Sequence, residues 1–389
     1  MLRVPKPHQT DGAGTTRHLL LCELPEMNRP VELPPTFVSQ LVAWQRLHGR
    51  HHLPWQQRRE PYRVWLSEVM LQQTQVVTVI SYFDRFLAAF PTVHALAAAP
   101  QSDVLSLWAG LGYYSRARML HRCAQTLVDQ YGGVFPNTVD ALVKLPGIGP
   151  STAAAIASFC YGVPVSIYDG NVKRVLSRLL AFGGDLSPTG ASKQLHEKAQ
   201  ALWSLGLESG AAAPSAVMPA YTQGRMDLGA TGCHLRSPQC QTCPVQSLCA
   251  AHAGGAQTQY PVKLKKLKRT TERWLWLRIQ TPEAIWLERR PQKGIWAGMQ
   301  APPLFDSELS LHAWLRAQGI RKVAIEKAET GDAIKHVLTH KDLYLTPVTV
   351  RLDQVFVGAP DTHLQGDWVP TKALESAALP APARKWLLG

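Results

Sequence analysis

The sequence predicts a mainly α-helical region followed by a smaller α+β unit. Three observations carry this reading. Apolar residues recur at helical spacing through residues 36–250. Short aliphatic and aromatic runs bounded by turn residues replace them after 273. A basic, glycine-containing stretch lies between the two. A chain of 389 residues is long enough for two or three separate cores.

The elements follow in order. Residues 1–30 read as a proline-containing extension, within which Met27 is a second candidate start. Leu19-Leu-Leu21 is too short for the apolar core of an export signal. Val76, Ile80, Phe83, Leu87 and Phe90 share one helix face, and Pro91 ends it. Leu105, Leu107 and Trp108 begin another face before Gly110-Leu-Gly112. Further helical stretches are expected over 115–131, 138–145, 151–161, 171–182 and 191–206, with a loop at Ala211–Ser215. In 251–273, Lys263, Lys265, Lys266, Lys268, Arg269 and Arg273 form a basic linker that is either merely solvated or touches phosphate. Trp274–Ile279 and Ala284–Leu287 suggest two strands around Thr281-Pro282, and Leu309, Leu311, His312 and Leu315 suggest a helix. Leu343–Leu345 and Val348–Val350 suggest two more strands.

Formal net charge is +13 and the pI is about 9.5. Such an excess of cations favours a polyanionic partner, with nucleic acid first. No run of eighteen apolar residues occurs, so a membrane span is not expected.

Four of the seven cysteines, Cys233, Cys240, Cys243 and Cys249, are spaced C-x6-C-x2-C-x5-C. Loops this short can return four thiolates to one metal centre, either an iron–sulfur cluster or tetrahedral zinc. Zinc modules usually show two tight C-x2-C pairs on a longer arm, whereas this run has one tight pair with a cysteine on each side, which favours a cluster. Thiols kept as ligands indicate a reducing compartment.

Leu145-Pro-Gly-Ile-Gly-Pro-Ser-Thr152 lies between two helical segments. Gly147 and Gly149 allow a tight turn, Pro150 suits a first helical turn, and the N–H groups exposed there can hold a phosphate oxygen. The motif resembles the helix-hairpin-helix element of DNA repair proteins, which grips backbone and does not read sequence.

Taken with the cysteine spacing and an aspartate about twenty residues downstream, this motif resembles the endonuclease III-like DNA glycosylases. Leu53-Pro-Trp55, the run Pro61–Gln75, the run Gly110–Arg118 and Asp169-Gly-Asn-Val-Lys-Arg174 look like the MutY-type adenine DNA glycosylases. The likeness covers roughly residues 36–250 closely and the rest more weakly. The chemistry of such a reaction can be argued from the residues. Breaking a C1′–N bond requires a proton for the leaving base and a carboxylate for the oxocarbenium-like sugar. Glu68 sits in an otherwise uncharged run, which suits an acid that keeps its proton. Asp169 precedes a helix start, where an ionised carboxylate is favoured. The resemblance assigns the same roles: Glu68 protonates adenine N7 and then assists water, and Asp169 faces the sugar cation.

The resemblance implies further sites. Bifunctional relatives carry a lysine where this chain has Ser151. A hydroxyl cannot form an imine, so base removal without efficient strand cleavage is expected. Asn171, Lys173 and Trp55 are expected near the adenine pocket. Gln73 and Tyr113 would wedge into the opened stack, and Gln72, Gly147, Gly149 and Arg236 would contact DNA. Residues 274–389 resemble a Nudix-like domain. Gly294–Gly298 is not followed by the acidic run that holds magnesium in hydrolytic members, so binding without hydrolysis is expected. Leu338-Thr339-His340 stands where the family reads the lesion with a Phe-Ser-His-type segment; Thr339 and His340 keep the hydroxyl and the imidazole.

The expected organisation is an extension (1–30), an iron–sulfur module (31–53 and 162–250), a six-helix barrel with the helix-hairpin-helix (54–161), a basic linker (251–273) and a Nudix-like lesion-recognition domain (274–389). The expected function is monofunctional excision of adenine opposite 8-oxoguanine or G in double-stranded DNA. One [4Fe-4S] cluster, a monomer and a bacterial cytoplasmic, nucleoid-associated location complete the expectation. The rivals are an endonuclease III-like glycosylase for damaged pyrimidines, a non-catalytic DNA-binding protein and a nucleotide pyrophosphatase. Ser151, the Glu68–Asp169 pair and the missing acidic run argue against them in turn.

Overall fold

The computed structural model describes residues 36–186, 189–207, 214–262, 268–355 and 366–389. The extension 1–30, the linker lysines 263, 265 and 266 and most of the Ala211–Ser215 loop fall outside those residues. Thirteen helices precede the sheet among the described residues: α1 (Thr36–His48), α2 (Pro54–Gln57), α3 (Pro61–Leu71), α4 (Val76–Ala89), α5 (Val93–Ala98), α6 (Gln101–Trp108), α7 (Ser115–Tyr131), α8 (Val139–Leu142), α9 (Pro150–Tyr161), α10 (Gly170–Leu179), α11 (Thr189–Leu207), α12 (Pro214–Thr231) and α13 (Ala250–Ala253).

Local chemistry explains their ends. Thr92, Thr138 and Asp169 cap α5, α8 and α10 by accepting a backbone N–H three residues on. Pro61 and Pro150 open α3 and α9, where the missing N–H costs nothing. The long helix α12 was not singled out in the sequence. α12 runs through Pro219, and that proline with Gly224 and Gly229 hides its periodicity in the sequence. It is central to the packing: Met218 and Tyr221 join Phe37 and Leu41 of α1, Leu176 of α10 and Trp203 of α11 in one buried cluster.

A second cluster joins α3–α9 to the C-terminal unit. That unit holds β1 (Thr270–Gln280), β2 (Ala284–Arg289), β3 (Gln300–Ala301), β4 (Leu304–Phe305), α14 (Glu308–Ala317), α15 (Lys322–Glu326), β5 (Glu329–Thr330), β6 (Ile334–Val337), β7 (Lys341–Arg351), β8 (Gly366–Pro370) and α16 (Ala381–Leu388). The main strand order is β3-β2-β1-β7-β5, with β4 on β1, β6 on β7 and β8 on β2. β1 and β7 pair in parallel; the other pairs are antiparallel. β1 buries both faces by alternation. Leu277 and Ile279 pack under Leu311 and Leu315 of α14, while Trp276 stacks near Trp296 and Trp386 on the other side. The opposite face meets the helical part: Ser106 donates to the Ser376 carbonyl at 2.6 Å, and Arg118 donates to the Ala297 carbonyl.

Two expectations change here. Leu343–Leu345 and Val348–Val350 are one strand, β7, with Pro347 inside it. The Pro347 carbonyl accepts from Gly331, between β5 and β6, so the absent proline N–H falls in the gap where neither strand pairs. The stretch read as linker is also more structured at both ends. α13 and buried Tyr260 follow the cysteines, and β1 already begins at Thr270.

The cysteine segment is tied down by one buried side chain. Arg178 of α10 donates to five carbonyls, those of Cys233, His234, Leu235, Gln257 and Tyr260, at 2.6–3.3 Å. It also reaches Cys233 Sγ at 3.2 Å. Arg178→Met would strand these buried acceptors, and a loss of about 3 kcal/mol is expected from the urea unfolding midpoint. A midpoint equal to wild type would show that water replaces the guanidinium.

Candidate functional site

α3 carries Glu68 at the wall of a cleft of about 430 Å³. Apolar walls come from Leu53, Trp55, Val64, Leu71, Val76, Phe159 and Met226. Arg50, Gln56, Arg59 and Gln223 supply the polar edge. Trp55 is buried and meets Phe83 edge-on with ring centroids 5.5 Å apart, so its ring is fixed by the core while one side faces the cleft.

Burial, joined by a smaller contribution from the nearby Asp169 charge, pushes the Glu68 carboxyl up to about 8. At neutral pH Glu68 therefore carries a proton, the state required of an acid. Asp169 caps α10, its Oδ1 accepting the Val172 N–H at 2.7 Å. Burial raises its pKa too, but the Val172 and Asn171 N–H groups and the Arg225 and Arg174 cations pull the other way. The two carboxyls thus sense each other while facing unlike surroundings, the arrangement that separates an acid from a stabilising carboxylate.

The other expected site residues divide into those near these acids and those elsewhere. Ser151 is half-buried in the first turn of α9 beside Thr152, whose hydroxyl receives Gln72 Nε2 at 3.5 Å. Asn171 does not face the cleft freely. Its amide oxygen accepts from Arg174 at 2.8 Å, and its Cβ packs so closely on Gly229 that a methyl there would come within 2.6 Å. Lys173 lies over the Tyr168 ring at 4.6 Å. Gly147, at φ +74°, and Gly149 are exposed on the hairpin, with Ile148 buried between them. Arg236 is exposed in the cysteine segment.

Gln73 and Tyr113 stand out by their backbone. Both are non-glycine residues in the left-handed region, at φ +59° and +49°. Such conformations cost about 1 kcal/mol or more and persist only where the surroundings impose them. Here the imposing group is Arg116, which the sequence reading passed over. Its Nη1 donates to the Val69 and Met70 carbonyls at 2.8 Å, closing the end of α3. Its Nη2 reaches Thr74 Oγ1 and the Leu111 and Gly112 carbonyls at 3.1–3.3 Å. One guanidinium therefore ties the turn that presents Gln73 to the turn that presents Tyr113.

The Tyr113 hydroxyl is hydrogen-bonded to Thr339 Oγ1 at 2.7 Å, across 226 residues of sequence. Thr339 and His340 are exposed in the β6–β7 turn. Arg269 braces that turn by donating to the Leu338 carbonyl at 2.8 Å and pairing with Asp342, so this linker cation serves the fold. Arg273 likewise lies in β1, over the Tyr344 ring.

Cys233, Cys240, Cys243 and Cys249 all line one cavity of about 330 Å³ together with Arg178. Among the described residues, no three metal-ligating side chains converge closely enough to chelate a single ion as they stand. Cys123 and Cys160 lie apart from that cavity, in the α3–α9 core.

Sequence reasoning also missed Arg50, Gln223 and Asp227. Asp227 is fully buried in α12 and accepts from Arg50 Nε at 2.7 Å and Gln223 Nε2 at 2.9 Å, which aims both at the cleft. A charged residue inside an apolar helical repeat would have signalled it, had α12 been recognised.

Comparisons with known proteins agree with this architecture. Residues 66–204 match the model of the HhH-GPD superfamily base excision DNA repair protein, and residues 274–388 match that of the NUDIX domain. An adenine DNA glycosylase of Buchnera aphidicola subsp. Baizongia pistaciae is 33% identical over 353 residues, covering 90% of this chain and 95% of that protein. The human adenine DNA glycosylase is 43% identical over 244 residues, covering 59% of this chain and 42% of that protein. A solved thermostable thymine-DNA glycosylase is 26% identical, covers 56% of this chain and 96% of its own, and superposes with a TM-score of 0.46. No helix among the described residues is long and apolar enough to cross a membrane. A match of that identity across nearly the full length of a relative settles the family: this chain is a member of the adenine DNA glycosylases, base-excision repair enzymes that hydrolyse N-glycosyl bonds in DNA.

Proposed function

We propose that the chain removes adenine paired with 8-oxoguanine, and with G more weakly, without cutting the strand. The observation that carries the lesion preference is the Tyr113–Thr339 hydrogen bond. It joins the turn of the C-terminal unit to Tyr113, and in this reading the base opposite the extruded adenine lies beside that pair. 8-Oxoguanine differs from guanine by an N7–H and an O8. A threonine hydroxyl can accept from the first or donate to the second.

In this reading Gln73 and Tyr113 fill the gap left by the extruded adenine, offsetting an unstacking cost of a few kcal/mol. Adenine enters the cleft against Trp55. Glu68 gives its proton to N7, and the C1′–N bond breaks toward the base. Asp169 stabilises the cationic sugar. Glu68, now ionised, takes a proton from the water that adds to C1′. Ser151 offers no amine for a Schiff base, so the product is an intact strand with an abasic site. Gly147, Gly149 and Arg236 hold phosphates on either side.

The cysteine cavity supports one [4Fe-4S] cluster. A single zinc would draw four sulfurs to about 2.3 Å from one point. The four thiols line one shared cavity, no three of them converge on such a point, and the Arg178 cation stands beside Cys233 to offset thiolate charge. Cys233, Cys240, Cys243 and Cys249 would hold the cluster, and it would supply electron exchange and a rigid core for the loop that bears Arg236.

Four outcomes test these readings. Purified protein is expected to be brown, with a broad absorbance band near 400 nm; a colourless protein holding one zinc would overturn the cluster. Thr339→Ala is expected to lower the ratio of single-turnover rates on A:8-oxoguanine and A:G duplexes by about tenfold, the worth of one buried hydrogen bond. An unchanged ratio would assign lesion reading elsewhere. Glu68→Gln is expected to retain duplex binding and lose base release by several orders of magnitude. Its stability should move the other way. The folded Glu68 binds its proton more tightly than the unfolded chain, so stability falls as pH rises from about 4.5 to about 8. The neutral glutamine escapes that loss. E68Q should therefore melt above wild type at pH 8 and near it at pH 4.5; equal melting at both would mean that Glu68 is not held protonated.

A further inference from the structure

α12 carries a second buried guanidinium that the mechanism above does not use. Arg225 is fully buried, at 0% exposure. Its guanidinium lies over the Tyr221 ring at 4.3 Å, and Nη1 donates to Ser166 Oγ. Nε and Nη2 have no hydrogen-bond partner among the described residues. A buried cation with half its donors unused costs several kcal/mol unless a negative charge stands near it.

The neighbours narrow the choice of that charge. Around Asp169 and Arg225, α10 supplies Lys173 and Arg174, and α11 supplies His196 and Glu197. α3 supplies Glu68, which is protonated. α1 ends in Arg46 and His48, α9 ends in Cys160 and Tyr161, and α13 holds His252. Asp227 is already paired with Arg50. Asp169 is thus the ionisable acid in reach that forms no ion pair of its own among the described residues. Ser166 lies three residues before Asp169 on the extended segment leading into α10, and Gln200 fixes that segment from the other side through the Ser166 N–H and the Pro164 carbonyl.

We propose that Arg225 is a positioning residue for Asp169: it clamps the delivering segment through Ser166 and supplies the buried counter-charge that keeps the carboxylate negative as the sugar cation forms. This rests on the reading of Asp169 as the carboxylate that faces the sugar. The burial that raises Asp169 is opposed by Arg225, which contributes more than Arg174 does, and the charge of Asp169 in turn favours the cationic form of Arg225.

The test is the pH dependence of single-turnover adenine release by the full-length protein on an A:8-oxoguanine duplex. Wild type, Arg225→Met, Arg225→Gln and Asp169→Asn are compared between pH 5 and 9. Without the counter-charge, Asp169 should protonate about one unit higher, so the acid limb moves up by about one pH unit and the rate at the acid end falls about tenfold. The alkaline limb, set by Glu68, should stay in place. Loss of rate by the same factor at every pH, or an unmoved acid limb, overturns the role of Arg225 and leaves Asp169 untouched. Full activity of D169N overturns the reading of Asp169 itself, whatever Arg225 does. If the neutral variants fold poorly, melting temperatures of R225M, D169N and D169N/R225M close the question. A paired function predicts that the double variant melts above the sum of the two single losses, and additive losses reject it.

Discussion

A carboxyl that holds its proton at neutral pH needs a dry wall, and most of the helical architecture supplies one for Glu68. The wall draws on Trp55, on Val64 and Leu71 of α3, on Phe159 of α9 and on Met226 of α12. These residues are distant in sequence, so the helices must close before the carboxyl is desolvated. Burial raises Asp169 as it raises Glu68, and two buried acids close enough to feel each other's charge would both be neutral without a local distinction. That distinction is the start of α10. Asp169 there accepts backbone N–H groups that favour its charged form, and Glu68, inside α3, has no such donors.

Buried and half-buried arginines carry much of the remaining order. Arg116 joins the wedge turns, Arg178 holds the cysteine segment, and Arg50 aligns the cleft edge through Asp227. Each satisfies backbone carbonyls or a buried acid at positions where a helix ends or a loop turns back. A planar fork of five donors suits this task, because loop carbonyls seldom point in parallel. So part of the strong positive charge is internal fastening, and the surface available for polyanion binding is less basic than +13 suggests.

The fold was legible where side-chain periodicity and turn chemistry agreed. The helix ended by Pro91, the hairpin after Leu145 and the turn at Thr281-Pro282 all follow from local rules. α12 was hidden because a proline and two glycines interrupt a helix that tertiary packing nevertheless stabilises. β7 read as two strands because Pro347 breaks a pattern whose missing donor faces a gap visible only once β5 and β6 are placed. In the site, Glu68 and Asp169 were legible because a lone acid in an apolar run and an acid before a helix are local signals. Arg116, Arg225 and Asp227 were not, since a charged residue inside a helix reads as surface until its neighbours are known.

The strain at Gln73 and Tyr113 links these themes. A wedge must stand proud of the surface before DNA arrives, or binding energy would be spent on raising it. In the proposed wedge, left-handed backbone at two bulky residues would do this, and it is held by a guanidinium that closes α3, the helix that bears Glu68. Glu68 lies on α3, and Gln73 follows five residues later in the turn just beyond its end. Tyr113 also meets Thr339, so a change in the C-terminal turn is felt at the wedge without crossing a flexible hinge. In the proposed reading, recognition of the opposite base and protonation of adenine would share one mechanical frame, because Arg116 fastens both wedge turns to the end of the helix that bears Glu68.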